Sequence, residues 1–387
     1  MWYAGIDWAD DHHDVAVVDE NGRIVGRIRV AHSVEGLEQV IGFLHEVAAG
    51  DPLNQVACIV ETNHGLLITR LLEAGLPIYP VNPKTLERRR TPAGAKTDAL
   101  DAYLLAKKGR SDFTELRRLA PDGPLVQELK QLTRDQDMLI QSQTRLVNQL
   151  IACLKAYYPV AVSLFAKLHQ PTTLAFLQRY PTPAAARAAS LDELVAFLKG
   201  QPHYPGAVAA SQRIWARLPP PQLCADPITV GTKSRLMLAL VEQLVALVAA
   251  IAAYDAAIRS LFVQPADAAL FAGLPGTGKR LGPRLLAEWG DDRTRYVDAE
   301  AIQALAGTAP VPYASGKYAR ARRRYACIKP LRNALYQFAW QSTVQEAWTL
   351  AYYQRKRREG KSHTVALRAL ANQWVRIVYA LWRTRTP

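Results

Sequence analysis

The sequence predicts a mixed α/β domain followed by a largely helical chain. Over roughly the first 110 residues, a normal domain length, short apolar runs alternate with segments of helical period. From residue 125 onwards apolar residues recur at steps of three and four, as in long paired helices. We therefore expect an α/β domain at 1–115, a helical, coiled-coil region with an irregular Pro-rich insert at 116–265, and a basic, mostly α domain at 266–387.

The first domain opens on an apolar run that contains a carboxylate, Asp7. This run and the segment that returns to Val30 predict two β-strands joined by an Asn-Gly turn. Next we expect a helix at 34–49, a strand at 55–61 that ends in Glu61, a helix at 65–74 and a strand at 76–81. After a basic segment, Thr97 caps a helix. This order predicts a mixed sheet with flanking helices.

Two heptad seams, at 125–153 and 237–261, predict long helices in the middle of the chain. They could pair with each other as an antiparallel hairpin or with a second copy of the protein, and the pattern leaves both open. The Pro-rich segment between them, 159–227, is expected to be irregular. The final segment is expected to be helical with a loop-like centre at 307–324, and its tryptophans Trp374 and Trp382 are expected in the core.

The net charge of +14 is concentrated at one end of the chain. Residues 268–387 carry 21 Lys and Arg against 7 Asp and Glu, whereas residues 1–267 carry 27 of each. A segregated excess of positive charge is typical of a protein that binds a polyanion, most simply nucleic acid. The alternative is a surface charged only for solubility.

Other classes of protein are disfavoured by composition. The longest apolar run, 244–254, is too short to cross a bilayer, so we expect no membrane partner and a cytoplasmic location. The four cysteines lie far apart and predict neither a disulfide framework nor a zinc site. His12 and His13 lack further ligands at metal spacing and are interpreted as surface residues.

Four carboxylates stand in positions from which they could converge. Asp7 lies in the first strand, Glu61 ends a later strand, and Asp98 and Asp101 share one face of a helix because they are three residues apart. Carboxylate oxygens suit Mg²⁺ or Mn²⁺, and two such ions about 4 Å apart would clamp a phosphodiester. A solvated acidic helix face is the alternative for Asp98 and Asp101 alone.

The stretch 273–280 satisfies Gly-x-x-x-x-Gly-Lys, the first part of a nucleotide-binding P-loop. Arg280 stands where the P-loop requires Ser or Thr, so an ATPase loop is disfavoured. We favour a turn between two helices whose backbone amides, with Lys279, Arg280 and Arg284, grip a DNA phosphate.

Ser315 is a candidate nucleophile because of its basic surroundings. A hydroxyl among Arg and Lys side chains could attack phosphorus while they balance the charge that develops on the phosphate oxygens. The alternative is an electropositive loop that only binds the DNA backbone. The residues expected to bind nucleic acid are Arg88, Arg89, Arg90, Lys279, Arg280, Lys317, Arg320, Arg322, Arg323, Arg324, Lys329 and Arg332, and a second basic run lies at 355–358.

Motifs at both ends of the chain resemble one known family. At the front they are Gly5-Ile6-Asp7, Ile59-Val60-Glu61-Thr62, Asn82-Pro83 and the run Lys96 to Ala102. At the back they are Leu274 to Gly278, Leu285 to Asp291, Ala306 to Pro310, Ser315-Gly316 and Leu331 to Tyr336. In these motifs the chain resembles the transposases of insertion-sequence family one-ten, the serine-using DEDD recombinases guided by a bridge RNA.

The resemblance implies a RuvC-type, RNase H-like first domain with Asp7, Glu61, Asp98 and Asp101 as Mg²⁺ ligands. Ser315 would cut DNA and hold it as a phosphoserine ester. The partners implied are donor and target DNA, a non-coding bridge RNA that selects the sequence, and further copies of the chain, as a dimer or as a tetramer in the synaptic complex.

Two other functions stay open on the sequence. A metal-dependent hydrolytic nuclease of the junction-resolving type would use the same four carboxylates to activate water, with Ser315 structural. A nucleic-acid-binding protein with a degenerate site would need none of them for its activity.

Overall fold

The computed structural model describes residues 1–81, 97–202, 206–219, 225–316 and 318–385. The chain divides into two compact units, Met1–Pro121 and Asp122–Pro387. The first is a mixed α/β unit and the second is mostly helical.

The first unit is built on a five-stranded sheet. Its strands are β1 (Trp2–Trp8), β2 (His12–Val18), β3 (Ile24–Ala31), β4 (Val56–Val60) and β5 (Ile78–Pro80), in the order β3-β2-β1-β4-β5. β2 is antiparallel to β1 and β3, β4 is parallel to β1, and β5 is parallel to β4. The described helices are α1 (Val34–Ala48), α2 (Leu66–Glu73) and α3 (Asp98–Asp112). The predicted mixed sheet with flanking helices is confirmed.

The prediction of two strands before α1 is wrong, because the first apolar run folds back on itself. The amide of Ala9 donates to the carbonyl of His12 over 2.9 Å, and this turn separates β1 from β2. Asp10 and Asp11, two exposed carboxylates, occupy the turn. The consequence is that the end of β1 lies beside the start of β2.

The two faces of the sheet bury different sets of residues. Alternate residues of β1, Ala4 and Ile6, point into a core with α1 and α2, since successive side chains of a strand point to opposite faces. The opposite face packs against α3 through Ile59 and Leu105. Asp7 shares this second face with Gly5.

The second unit contains two long helices that pair with each other. α4 (Pro124–Tyr157) and α10 (Pro227–Phe262) are the two long helices. Between them the described residues form the short helices α5 (Ala161–Leu164), α6 (Pro171–Arg179), α7 (Pro183–Ala188), α8 (Leu191–Lys199) and α9 (Ala207–Trp215). The side chain of Gln136 donates to Asp255 over 2.9 Å and Cys153 lies 3.4 Å from the carbonyl of Lys233, so α4 and α10 run antiparallel. The intramolecular alternative is therefore the one observed, and its coiled-coil character stays a prediction.

The prediction that the Pro-rich segment is irregular is wrong, because its described residues form short helices. Pro171 and Pro183 stand at the first turns of α6 and α7, where a missing N–H costs no hydrogen bond. These short helices cover a core that includes Phe176 and Leu194 and is continuous with α4 and α10. The prolines therefore start helices in this segment.

Among the described residues, one helix, α10, is long and apolar enough to cross a membrane, judged by length and composition alone. This differs from the expectation that every apolar segment is too short to do so. The most apolar stretch of α10 is 28% buried in this structure.

The remainder of the second unit surrounds a core of large aromatic residues. Its elements are α11 (Ala268–Gly273), α12 (Gly278–Trp289), α13 (Ala299–Leu305), β6 (Val311–Ser315), β7 (Tyr318–Arg322), α14 (Lys329–Gln345), α15 (Ala347–Arg358) and α16 (His363–Thr384). Trp374 and Trp382 are buried in the core as predicted. The loop predicted at 307–324 instead contains the antiparallel β6–β7 hairpin. The basic run 355–358 forms the last turn of α15.

Candidate active site

Asp7 lies at the centre of a row of charged residues that crosses the sheet. It pairs directly with Asp14 of β2, and Asp14 in turn pairs with Arg29 of β3. On the other side, the parallel pairing of β1 with β4 ends at Ile6 and Val60, so Glu61 follows β4 next to Asp7. The strand order alone thus brings two of the four predicted carboxylates together.

Close packing of α3 on β1 brings in the other two. A Cβ atom on Gly5 would lie 2.0 Å from the carbonyl oxygen of Ala102 and 2.3 Å from the amide nitrogen of Ala106, so only glycine allows this approach. Because Asp7 is two residues from Gly5, it faces the same helix. Asp98 and Asp101 occupy the first turn of α3, which Thr97 caps by accepting a hydrogen bond from the amide of Leu100 over 3.2 Å.

The electrostatics of Asp7 reflect this convergence. The pKa of Asp7 is raised to about 7, first by burial and then by the nearby charges of Asp101, Glu61, Asp98 and Asp14, in that order of effect. The helix N-terminus favours negative charge at Asp98 and Asp101, but it does not remove the repulsion between the carboxylates. The other three predicted carboxylates therefore all act on Asp7 at the β1–α3 junction.

Three residues near this site were not predicted from the sequence. The ligand atoms of His12, Asp14 and Asp98 lie within 4.8 Å of one another. His12 Nε2 is 3.1 Å from Asp98 Oδ2, and Arg29 donates to both oxygens of the buried Asp14 over 2.8–3.2 Å. His12 and Asp14 are two residues apart on a strand, and this spacing is the one signal that could have placed them on the same face.

The interpretation of His12 and His13 as surface residues is wrong. His13 is fully buried and its Nε2 lies 2.8 Å from His32 Nδ1. Burial, followed by the proximity of His32 and His12, lowers the pKa of His13. His12 is half-buried and its proximity to Asp98 is the largest of the effects that raise its pKa.

The donor set fits a divalent cation. Carboxylates held close together repel one another and are stabilised by a nearby positive charge, and hard oxygen donors are the ligands that Mg²⁺ and Mn²⁺ prefer. Arg29 and His12 lie on the Asp14 and Asp98 side of the cluster and supply cationic or hydrogen-bonding partners there. The assignment of Asp7, Glu61, Asp98 and Asp101 to metal binding stays a prediction.

Ser315 lies in the second unit, at the last position of β6. It is exposed and pairs with Tyr318 of β7 across the hairpin. Gly316 follows with a φ of 58°, in the left-handed region that glycine tolerates without strain. The serine is thus presented at the tip of a hairpin, and its role as a nucleophile stays a prediction.

Basic side chains surround the hairpin. Arg320 and Arg322 are exposed on β7, whereas Arg323 and Arg324 after it are half-buried, with Nε atoms that have no hydrogen-bond partner among the described residues. Lys329 is exposed at the start of α14 and Arg332 is half-buried one turn later. Arg88, Arg89, Arg90 and Lys317 lie outside the described residues.

The predicted phosphate-gripping turn does join two helices, α11 and α12. However, Arg280 donates two hydrogen bonds to Asp255, and Arg284 donates two to Asp137, at 2.8 and 3.0 Å. Binding of a phosphate by either arginine would have to compete with a carboxylate already in place. Lys279 is exposed at the start of α12.

Two parts of the chain match known protein families. Residues 4–159 match the DEDD transposase family model of IS110, and residues 268–354 match a model described as transposase, IS116/IS110/IS902 family. The first match makes the N-terminal unit a DEDD domain, which is RNase H-like. The two matches fall on the parts of the chain that contain the carboxylates and Ser315.

Relatives match over nearly the whole length. The chain is 32% identical to the mini-circle protein of Streptomyces coelicolor named as the transposase for IS117, over 99% of this chain and 94% of that protein. It is 29% identical to the 44.8 kDa protein of insertion element IS116 from Streptomyces clavuligerus, over 99% and 95%. It is 28% identical to the 42 kDa protein of insertion element IS900 from Mycobacterium paratuberculosis, over 98% and 95%. With the carboxylate cluster at the β1–α3 junction and both matches in place, the chain belongs to the IS110 family of DEDD transposases.

Proposed function

We propose that the protein is an RNA-guided DNA recombinase that moves an insertion sequence by cutting and rejoining DNA through a covalent phosphoserine intermediate. The observation that carries the proposal is the convergence of Asp101, Glu61 and Asp98 on Asp7 in a member of this transposase family. In this proposal residues 1–115 form the RuvC-like domain, 116–265 the coiled-coil region and 266–387 the domain that supplies the serine.

Asp7, Glu61, Asp98 and Asp101 would hold Mg²⁺ or Mn²⁺. The bound cation would supply positive charge to the phosphate oxygens. The task of the protein is to hold the four carboxylates close together, and a bound cation would favour their ionised form. Close packing of α3 on Gly5 holds the first turn of α3 next to Asp7.

Ser315 would act as the nucleophile. Its Oγ forms a bond to phosphorus while the bond from phosphorus to one sugar oxygen of the DNA breaks, and the serine proton ends on the departing oxygen. The phosphodiester becomes a phosphoserine ester of the same charge, so the reverse attack by a DNA hydroxyl rejoins the strand without an external energy source. Arg320 and Arg322, on the same hairpin, are suited to neutralise charge on the phosphate.

Sequence choice would be made by base pairing with a bridge RNA, and the protein would contact mainly the backbones of donor and target DNA. The excess of positive charge in residues 268–387 supports binding of the protein to phosphate backbones. We expect a cytoplasmic homo-oligomer, a dimer or a synaptic tetramer. The carboxylates of one subunit would act with Ser315 of another.

Trapping on a denaturing gel tests the proposal. Wild type, Ser315→Ala and Asp98→Asn are incubated with end-labelled DNA spanning the element's junction and with RNA transcribed from the sequence that flanks the gene, in Mg²⁺ or Mn²⁺. We expect a protein–DNA band in wild type only. Ser190→Ala, a change at an exposed helix cap, is the matched control and should keep the band.

The main alternative is a hydrolytic nuclease in which the carboxylates activate water. It predicts cut DNA without a covalent band, in wild type and Ser315→Ala alike, and loss of cutting in Asp98→Asn. A nucleic-acid-binding protein with a degenerate site predicts that none of these variants changes any activity.

A further inference from the structure

The β6–β7 hairpin has two chemically different faces. Residues paired across an antiparallel hairpin point to the same side, and successive residues alternate. One face carries Val311, Tyr313, Ser315, Tyr318, Arg320 and Arg322, and the other carries Pro312, Ala314, Ala319 and Ala321. The serine therefore shares its face with two phenol rings and two guanidinium groups.

The two tyrosine rings on this face are exposed and contact each other. Tyr313 is 43% exposed and Tyr318 is 49% exposed, and neither belongs to a hydrophobic core of the described residues. Their ring centroids are 6.2 Å apart with an interplanar angle of 79°. The guanidinium carbon of Arg322 lies 3.7 Å from the centroid of the Tyr313 ring. These neighbours restrict the ring of Tyr313 before any partner binds.

The rings contact each other across the hairpin, but neither fills a hydrophobic core of the described residues, so their exposed surface is available to a partner. Contacts to phosphates alone would require only the arginines and no aromatic surface. Aromatic side chains beside arginines are the arrangement with which proteins bind single strands, because rings stack on bases while cations contact the backbone. Inside a duplex each base is covered by its neighbours, so a side chain on a hairpin can stack only on a base that has left the helix.

We propose that Tyr313 and Tyr318 stack on unpaired DNA bases next to the phosphate that Ser315 attacks, with Arg320 and Arg322 on the flanking phosphates. The part of this inference that concerns the phosphate rests on the proposed function, whereas the stacking does not. Through this stacking the protein selects DNA that is locally unpaired at the cutting site. The selection depends on whether the bases are unpaired and not on their sequence.

The test measures DNA binding in the Ser315→Ala background, so that nothing is cut. Affinity of the full-length protein is compared for a duplex and for the same duplex with a two-nucleotide mismatched bubble that contains 2-aminopurine. We expect tighter binding to the bubble, together with a change in 2-aminopurine fluorescence that reports stacking. Tyr313→Ala and Tyr318→Ala should each weaken bubble binding by roughly 5- to 100-fold and leave duplex binding unchanged.

Matched variants separate stacking from other causes. Tyr313→Phe and Tyr318→Phe keep the ring and should bind like the parent. Tyr325→Ala removes a tyrosine that is 73% exposed and lies beyond the paired residues, and it should also bind like the parent. All of these side chains are exposed, and thermal unfolding checks that each variant folds.

Several results would overturn the proposal. Equal affinity for duplex and bubble would remove the selection of unpaired DNA, and equal losses in the Phe and Ala variants would assign the role to the hydroxyl. If Tyr313→Ala and Tyr318→Ala weakened binding to single-stranded RNA of the same sequence but not binding to DNA, the partner of the two rings would be RNA. Absence of a covalent adduct in wild type would refute the serine chemistry but would leave the stacking result as it stands.

Discussion

Ionisation of Asp7 is unfavourable in the folded chain, because the carboxyl group is partly buried among other carboxylates. The carboxyl binds its proton more tightly in the folded chain than in the unfolded chain, because its folded pKa of about 7 is well above its usual 3.8. At pH values above about 7, without a bound cation, its ionisation therefore lowers the stability of the fold. The penalty is relieved as the pH falls through about 7 towards 3.8.

Asp7→Asn should therefore raise the melting temperature of cation-free protein at pH 8 by a few degrees, since about 1 kcal/mol shifts it by roughly 2–4 °C in domains of about 150–250 residues. The gain should shrink at pH 5, where wild-type Asp7 is largely protonated. Thermal unfolding with and without Mg²⁺ checks this, and Mg²⁺ should stabilise wild type more than the variant. Asp10→Asn, in the exposed turn after β1, is the control. A lower melting temperature for Asp7→Asn at pH 8 would contradict the account.

Arg29 is the residue that lets Asp14 stay buried beside Asp7. Its guanidinium donates three hydrogen bonds of 2.8–3.2 Å to the two oxygens of Asp14, whose side chain is 8% exposed. Arg29→Gln should lower the free energy of unfolding, because it leaves the buried Asp14 carboxylate without its partner. Urea unfolding measures the loss.

Arg27→Gln is the matched control, because Arg27 lies on the same face of β3 and is also exposed. The guanidinium carbon of Arg27 lies 5.8 Å from the centroid of the Tyr103 ring, so the free energy of unfolding should change by well under about 1 kcal/mol. Equal losses in the two variants would mean that the Arg29–Asp14 pair contributes nothing specific.

At the scale of elements, the packing of α3 on β1 decides where the carboxylates meet. Gly5, with Ala102 and Ala106 facing it, lets the helix backbone approach the strand directly. The first turn of α3, with Asp98 and Asp101, is thereby held against the end of β1. A longer side chain at position 5 would lift the helix and separate the two halves of the cluster.

Gly5→Ala should destabilise the first unit by about 3 kcal/mol, since the new methyl group would clash with backbone atoms that cannot move aside. It should also weaken binding of Mn²⁺, measured by calorimetry. Gly42→Ala is the control within the same unit, because nothing lies within 4 Å of the added atom on α1. In a helix it should be neutral or stabilise by about 0.5–1 kcal/mol. A Gly5→Ala protein as stable as wild type would refute the packing argument.

At the scale of the whole molecule, elements with a strong period were predictable and irregular junctions were not. The helices at 34–48 and 98–112 and the two long helices follow directly from apolar spacing and from the cap at Thr97. The Pro-rich segment was misread because proline both breaks helices and begins them. The β6–β7 hairpin was missed, although its alternation of Tyr and Arg with Ala is a strand signal.

The sequence predicted that Asp7, Glu61, Asp98 and Asp101 could converge, whereas the other residues around them were not predictable. The spacing of Asp98 and Asp101 fixes their common face within α3. The neighbours Asp14, His12 and Arg29 depend on which strands pair and in which register, and that information is not local in the sequence. Likewise, the ion pairs of Arg280 and Arg284 depend on helices far away along the chain, so both arginines looked free to bind phosphate.

The most direct test of the central claim is to locate the DNA adduct on the protein. Tryptic cleavage after Arg295 and Lys317 releases residues 296–317, a peptide whose single serine is Ser315. After reaction with element DNA and its RNA in Mg²⁺ and digestion of the DNA, mass spectrometry should find a nucleotide on this peptide, with fragmentation that places it on Ser315. A nucleotide on Thr308 or Tyr313 of the same peptide, or cut DNA with an unmodified peptide, would contradict serine chemistry in this transposase.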